Sequence, residues 1–197
     1  MPSVELPAAG DPIPSNCQII EVRVAGVTQL FNTIDPTPFK ERDLDPRVEE
    51  FIVGWAREIP NKKRIALLVH LDQRAGPADE ALVVRDAIHG FFADRARVSR
   101  ARLRQLFRQG RISLGIGLTV LTALIGAAEF LSRRTTETGF APILHESLLI
   151  GGWVAMWRPL EVFLYDWWPI SAEARMFDRL AAMPVRLTYA PGTGSRA

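Results

Sequence analysis

Residues 112–131, ISLGIGLTVLTALIGAAEFL, are twenty consecutive positions with a single charge, Glu129, close to their end. At ~1.5 Å per helical residue they span ~30 Å, about the thickness of a bilayer's hydrocarbon core. A core helix of a small domain keeps a polar face, and this run has none. It predicts a transmembrane helix. A second apolar run, residues 143–165, is long enough to return across the bilayer, although it contains Arg158 and Glu161. The connection between the two, SRRTTETGFAP, is too short for a folded domain, so the pair predicts a two-helix transmembrane hairpin.

Working outward, Arg95, Arg97, Arg100, Arg102, Arg104, Arg108 and Arg111 crowd the approach to the first run. The connecting loop offers only Arg133 and Arg134, offset by Glu137. Arginine asymmetry places both termini on the cytoplasmic side. The same arginines spread around their helix and abut the membrane, which points to anionic lipid headgroups and not to nucleic acid. The net charge of +2 conceals this segregation. Cys17 is the only cysteine and has no internal disulfide partner, and no Cys/His spacing suggests a structural metal or cofactor.

The flanks have α/β patterning. Ile20, Val22 and Val24 alternate with Glu21 and Arg23 as in a half-buried strand. Asp45 and Pro46 are the cap and first residue of a helix with Val48, Phe51, Ile52 and Trp55 on one face. RIALLVHLD is apolar at successive positions, as a central strand covered on both faces would be. A helical pattern then starts near Ala78 and runs on into the first span. After the hairpin, Ser171 caps a short helix and PVRLTY alternates as a last strand. The expected fold is therefore α/β plus membrane: a hairpin, residues 112–165, inserted into a small cytosolic domain of about three strands, formed by residues 18–111 and 166–190. Residues 1–17 and 191–197 have the composition of disordered tails.

Gly115, Thr119, Thr122 and Gly126 form a stripe of small residues on the first span, and Ser147, Gly151 and Ala155 form one on the second. Such stripes let membrane helices approach closely, either within the hairpin or in a homo-oligomer or with another membrane protein. Arg158 lies ~22 Å beyond Ile143 and ~8 Å short of the inner boundary, within snorkelling reach of headgroups. Glu161 can pair with it across a bend at Pro159. Trp153, Trp157, Trp167 and Trp168 supply interfacial anchors. Two readings of residues 159–168 stand: completion of the span, or a short helix along the inner surface ended by Pro169.

Other ionisable groups form no complete catalytic constellation. Glu129, His145 and Glu146 fall at one level, but HESLL is not a HExxH motif and no fourth ligand is apparent. His70 and Asp72, beside the acidic loop from Asp35 to Asp45, are the candidates for an enzymatic site on the cytosolic domain. Arg158 and Glu161 would serve a small transporter subunit. A binding or assembly role without catalysis accounts for the same residues with fewer requirements.

The blocks LFNTIDPTPFKERDLDPRVEEFIVGWARE, LRQLFRQGRISL and LLIGGWVAMWRPLEVFLYDWWPI resemble those of an uncharacterised group of bacterial membrane proteins, with the likeness extending over about residues 19–189. The resemblance implies two spans in a bacterial inner membrane. It brings no activity and no catalytic residues.

Overall fold

The computed structural model describes residues 8–32, 42–72, 80–134 and 141–189. Residues 1–7 of the expected tail at 1–17, the expected tail at 191–197, most of the Asp35 to Asp45 loop and the interhelical loop with Glu137 lie outside the described residues. Contacts divide the chain into two units, Met1–Val98 with Glu173–Ala197, and Ser99–Ala172.

The first unit is built on a four-stranded sheet, one strand more than expected, in the order β1-β4-β3-β2. The strands are β1 (Ala8–Gly10), β2 (Cys17–Val24), β3 (Arg64–Leu71) and β4 (Val185–Tyr189). β2, β3 and β4 are parallel, and β1 pairs antiparallel with β4. Residues 8–10 therefore belong to the sheet, although their composition reads as tail. Gly10 makes the pairing possible. Its φ is +109°, and a side-chain carbon there would lie 2.6 Å from the Val185 carbonyl oxygen. Asp11 fastens the next step, donating its backbone N–H to Val185 and binding Arg85 through its carboxylate.

The sheet grows in one direction, β2 to β3 to β4, through helical crossovers. Right-handed crossovers taken in the same direction leave their helices on the same face. Side-chain parity shows this: Ile20, Val22, Leu67, Val69, Leu71, Val185 and Leu187 join one buried cluster with residues of helices α1 (Pro46–Glu58), α2 (Glu80–Arg134) and α4 (Trp167–Ala181). Val84, Ile88 and Phe92 of α2 and Phe177 and Leu180 of α4 are among its members, with Phe92 and Phe177 stacked at 6.3 Å. β3 is central, as its sequence suggests, but among the described residues the helices join its buried cluster on one face only. On the other, Ala66 is buried, Leu68 and His70 are half-buried and Arg64 is exposed.

Asp45 caps α1 by accepting from the Arg47 N–H at 2.9 Å, with Pro46 at the first position. The buried face of α1 is Ile52, Val53 and Ala56. Phe51 and Trp55, expected on the inner face, are about half exposed and lie against each other at 6.3 Å.

The second unit holds the C-terminal part of α2, helix α3 (Ala141–Glu161), a π-helical turn (Val162–Asp166) and the start of α4. Two helical stretches here are long and apolar enough to cross a membrane, and only 11% and 17% of their most apolar windows are buried. The helical backbone runs through Pro159 and into α4 without the break expected at Pro169, so Ser171 lies inside α4 and caps nothing. The π turn explains this continuity. Proline clashes with the carbonyl four residues back, and the wider π register immediately before Pro169 relaxes the backbone at Tyr165.

Candidate functional site

The seam between α2 and α3 sets the level of every candidate residue in the second unit. Ser113, His145 and Met156 are half-buried, and the regular rows of less exposed positions are Gly110, Leu114, Gly117, Leu121, Leu124 and Ala128 on α2, and Leu148, Gly152, Ala155 and Pro159 on α3 with Val162 of the π turn. Their spacing alternates between three and four, the seven-residue repeat of coiled-coil packing. The contacts run antiparallel. A side-chain carbon on Gly152 would meet Leu121, one on Gly117 would meet Ala155, Met156 and Pro159, and one on Gly110 would meet Val162 and Phe163.

This seam is not the one read from small residues. Around Gly115 and Gly126 a side-chain carbon would find nothing within 4 Å. Thr119 and Thr122 are exposed and donate to carbonyls of their own helix, Gly115 and Leu118, at 2.9 and 2.8 Å. Ser147 likewise donates to Ile143. A hydroxyl satisfied within its own helix needs no partner across the interface, so the Gly115 to Gly126 stripe can turn outward at no hydrogen-bonding cost. Of the expected packing residues, Ala155 and Gly151 face α2, with Gly151 nearest Leu124. The signal for the true seam was in the sequence: Gly110 and Gly117, and Gly152 and Pro159, lie seven residues apart.

At one end of the hairpin, aromatic and basic residues share a level. Phe107 stacks on Phe163 at 6.2 Å, and Gly110 abuts Val162. Arg104, Arg108 and Arg111 of α2 therefore fall at the level of Tyr165, Trp167 and Trp168 along the helices, and all three arginines are exposed. Tyr165 and Trp168 are 70% and 65% exposed. Trp167 is half-buried and does more than mark a boundary: its indole N–H donates to the Phe163 carbonyl at 3.0 Å, inside the π turn. Farther along α3, Trp153 and Trp157 are 68% and 61% exposed, with ring centroids 6.3 Å apart.

Arg158 precedes Phe163 by five residues, ~7.5 Å along a helix. Both its ionic partners lie on the side toward the aromatic level: Glu161 at 2.8 Å and Asp166 at 3.7 Å. Asp166 was missed from sequence because an eight-residue separation on a regular helix gives little reason to pair the two. At the opposite end of the hairpin, Glu129 binds Arg133 at 3.0 Å.

On the first unit, His70 is joined not to Asp72 but to groups on the flanking strands. Thr188 of β4 lies 2.8 Å from Nδ1, and Glu21 of β2 lies 3.3 Å from Nε2. The Thr188 hydroxyl also donates to the Val69 carbonyl at 3.4 Å, so it is held between the β3 backbone and the imidazole. A hydroxyl, an imidazole and a carboxylate in this order are the parts of an activated nucleophile. Here they lie across the face of three strands opposite the buried cluster, and each polar atom is occupied by the next, which ties β2, β3 and β4 together. His89 also has a structural partner, the Met183 carbonyl at 2.8 Å.

No family model, curated protein or solved structure matches the chain.

Proposed function

We propose that the chain is an integral membrane protein of the bacterial inner membrane. In this reading a two-span hairpin anchors a small cytosolic α/β domain, whose role is binding, scaffolding or assembly without catalysis. The carrying observation is the outer surface of the hairpin: Ile112, Ile116, Leu118, Ile125, Ile150 and Val154 are exposed around the two helices. Water disfavours so continuous an apolar mantle, whereas lipid accepts it. The resemblance to two-span inner-membrane proteins supports the same reading.

The level shared by Arg104, Arg108, Arg111, Tyr165, Trp167 and Trp168 supplies the inner interfacial belt, where arginines meet anionic headgroups and aromatic rings anchor depth. The direction taken by Arg158, toward Glu161 and Asp166, is that of a snorkelling side chain. Its charge is thereby oriented toward the boundary and not into a transport path. The partners of His70, Thr188 and Glu21, engage it within the sheet, which supports the reading without catalysis. Both termini are cytoplasmic by the arginine rule, and a homo-oligomer or another membrane protein is the expected partner.

Reporter fusions test the topology. A reporter after residue 137 should be active only in its periplasmic form, and reporters at either terminus only in their cytoplasmic form. Cytoplasmic activity at residue 137, or recovery of the full chain in buffer without detergent, would refute the proposal.

A further inference from the structure

The first unit contains a cleft of about 450 Å³ at the amino ends of the parallel strands. Cys17, the first residue of β2, Arg64, the first of β3, and Pro184, just before β4, contribute to its wall. With Lys62, Lys63 and Arg179 the described part of the lining carries four cationic residues and no carboxylate.

Arg179 explains why this charge is uncompensated. From the last turn of α4 it donates to the Pro60 and Lys63 carbonyls at 3.2 and 2.8 Å and to Asn61 Oδ1 at 3.0 Å. The Lys63 N–H closes the same turn onto Pro60 at 3.0 Å. Arg179 thus occupies the acceptors that the turn would otherwise offer to lysine ammonium groups, and it holds Lys62, Lys63 and Arg64 together on a rigid support. Among the described residues, none of these three forms an ion pair with a carboxylate. Such a concentration of like charge on one turn is self-repelling and is relieved by a polyvalent anion. The volume falls within the range of small-molecule sites, large enough for a phosphorylated headgroup or metabolite and far larger than a chloride ion requires.

We propose that this cleft is an anion site for a phosphate-bearing group, with Lys62, Lys63 and Arg64 as its ligands and Arg179 as the residue that positions them. The phosphate belongs either to a soluble phosphorylated compound or to a phospholipid headgroup; the binding chemistry is the same.

Cys17 is the only cysteine in the chain and lines the cleft, so it reports on the site without engineering. The full chain is reacted with anionic dithiobis(nitrobenzoate) and with neutral dithiodipyridine, each rate normalised to that of free 2-mercaptoethanol, which carries no charge besides its thiolate. A positive cleft should favour the anionic reagent by roughly tenfold, the lower end of electrostatic focusing in clefts. Millimolar pyrophosphate should suppress that reaction. In the double variant Lys62→Gln, Lys63→Gln the preference and the protection should both fall severalfold while the neutral reagent's rate stays constant, which also reports that the surroundings of Cys17 remain folded. Nanodiscs containing phosphatidate that protect Cys17 without pyrophosphate would identify a lipid headgroup; equal rates in phosphatidate and phosphatidylcholine discs, with protection by pyrophosphate, would identify a soluble ligand. Equal preference for the two reagents, together with no protection by pyrophosphate or phosphatidate, overturns the proposal.

Discussion

Single residues carry several of the structural decisions in this protein. Gly10 holds a positive φ against the Val185 carbonyl, and β1 exists because no side chain intervenes. Nothing around Gly10 in the sequence announces a strand three residues long, since its cause lies in β4, about 175 residues away. Glu80, the first residue of α2, carries a linked effect of pH. Burial, opposed by the bond from the Tyr189 hydroxyl at 3.5 Å, holds its carboxyl above the usual carboxylate range. Between the unfolded and folded pKa values the folded state binds more protons. The contribution of Glu80 therefore favours folding on the acid side and is lost as pH rises through the folded value. Glu80→Gln should flatten the decline in stability just above the ordinary glutamate range, read as denaturant midpoints across a pH series. An unchanged slope would mean that the carboxyl is not held in a desolvated site.

At the scale of elements, the hairpin separates two ideas that look alike in sequence. Small residues at spacings of four, three and four suggested a packed stripe from Gly115 to Gly126, whereas the contacts follow the seven-residue repeat through Gly110 and Gly117. The two faces differ by position on the same helix, so substitutions discriminate between them. Gly117→Val puts carbon against the Ala155 carbonyl and Met156 and should cost about 1–3 kcal/mol, as overpacking does. Gly115→Val and Gly126→Val should leave the hairpin's thermal stability in detergent nearly unchanged. The reverse order would restore the small-residue stripe as the seam. The continuity of α3 into α4 is a second lesson at this scale. Pro159 and Pro169 both predict interruption, yet Pro159 is buried in the seam and Pro169 follows a π turn that accommodates it.

The whole molecule has an interrupted crossover. The chain leaves β3, forms the apolar hairpin, and only then returns through α4 to complete a parallel sheet at β4. Because the core of the first unit draws on both sides of the insertion, membrane character should be confined to the second unit. Replacing residues 99–172 by a Gly/Ser linker of about ten residues, with a typical span of ~17 Å, should yield a protein soluble without detergent that unfolds cooperatively. A product that still requires detergent would place lipid-facing surface on the α/β unit as well.

The sequence alone was sufficient for two apolar helices, for the Asp45 cap and the start of α1, for β2 and the centrality of β3, and for the Arg158 to Glu161 pair. Each depends on residues a few positions apart, where spacing translates directly into geometry. Only the tertiary structure decided that β1 joins the sheet, that the described helices gather on one face, that His70 answers to Thr188 and Glu21, and that Arg179 supports a turn more than a hundred residues away. Those choices depend on which strands become neighbours, and neighbours are selected by burying one shared apolar face, a property of the assembled sheet and not of any single segment.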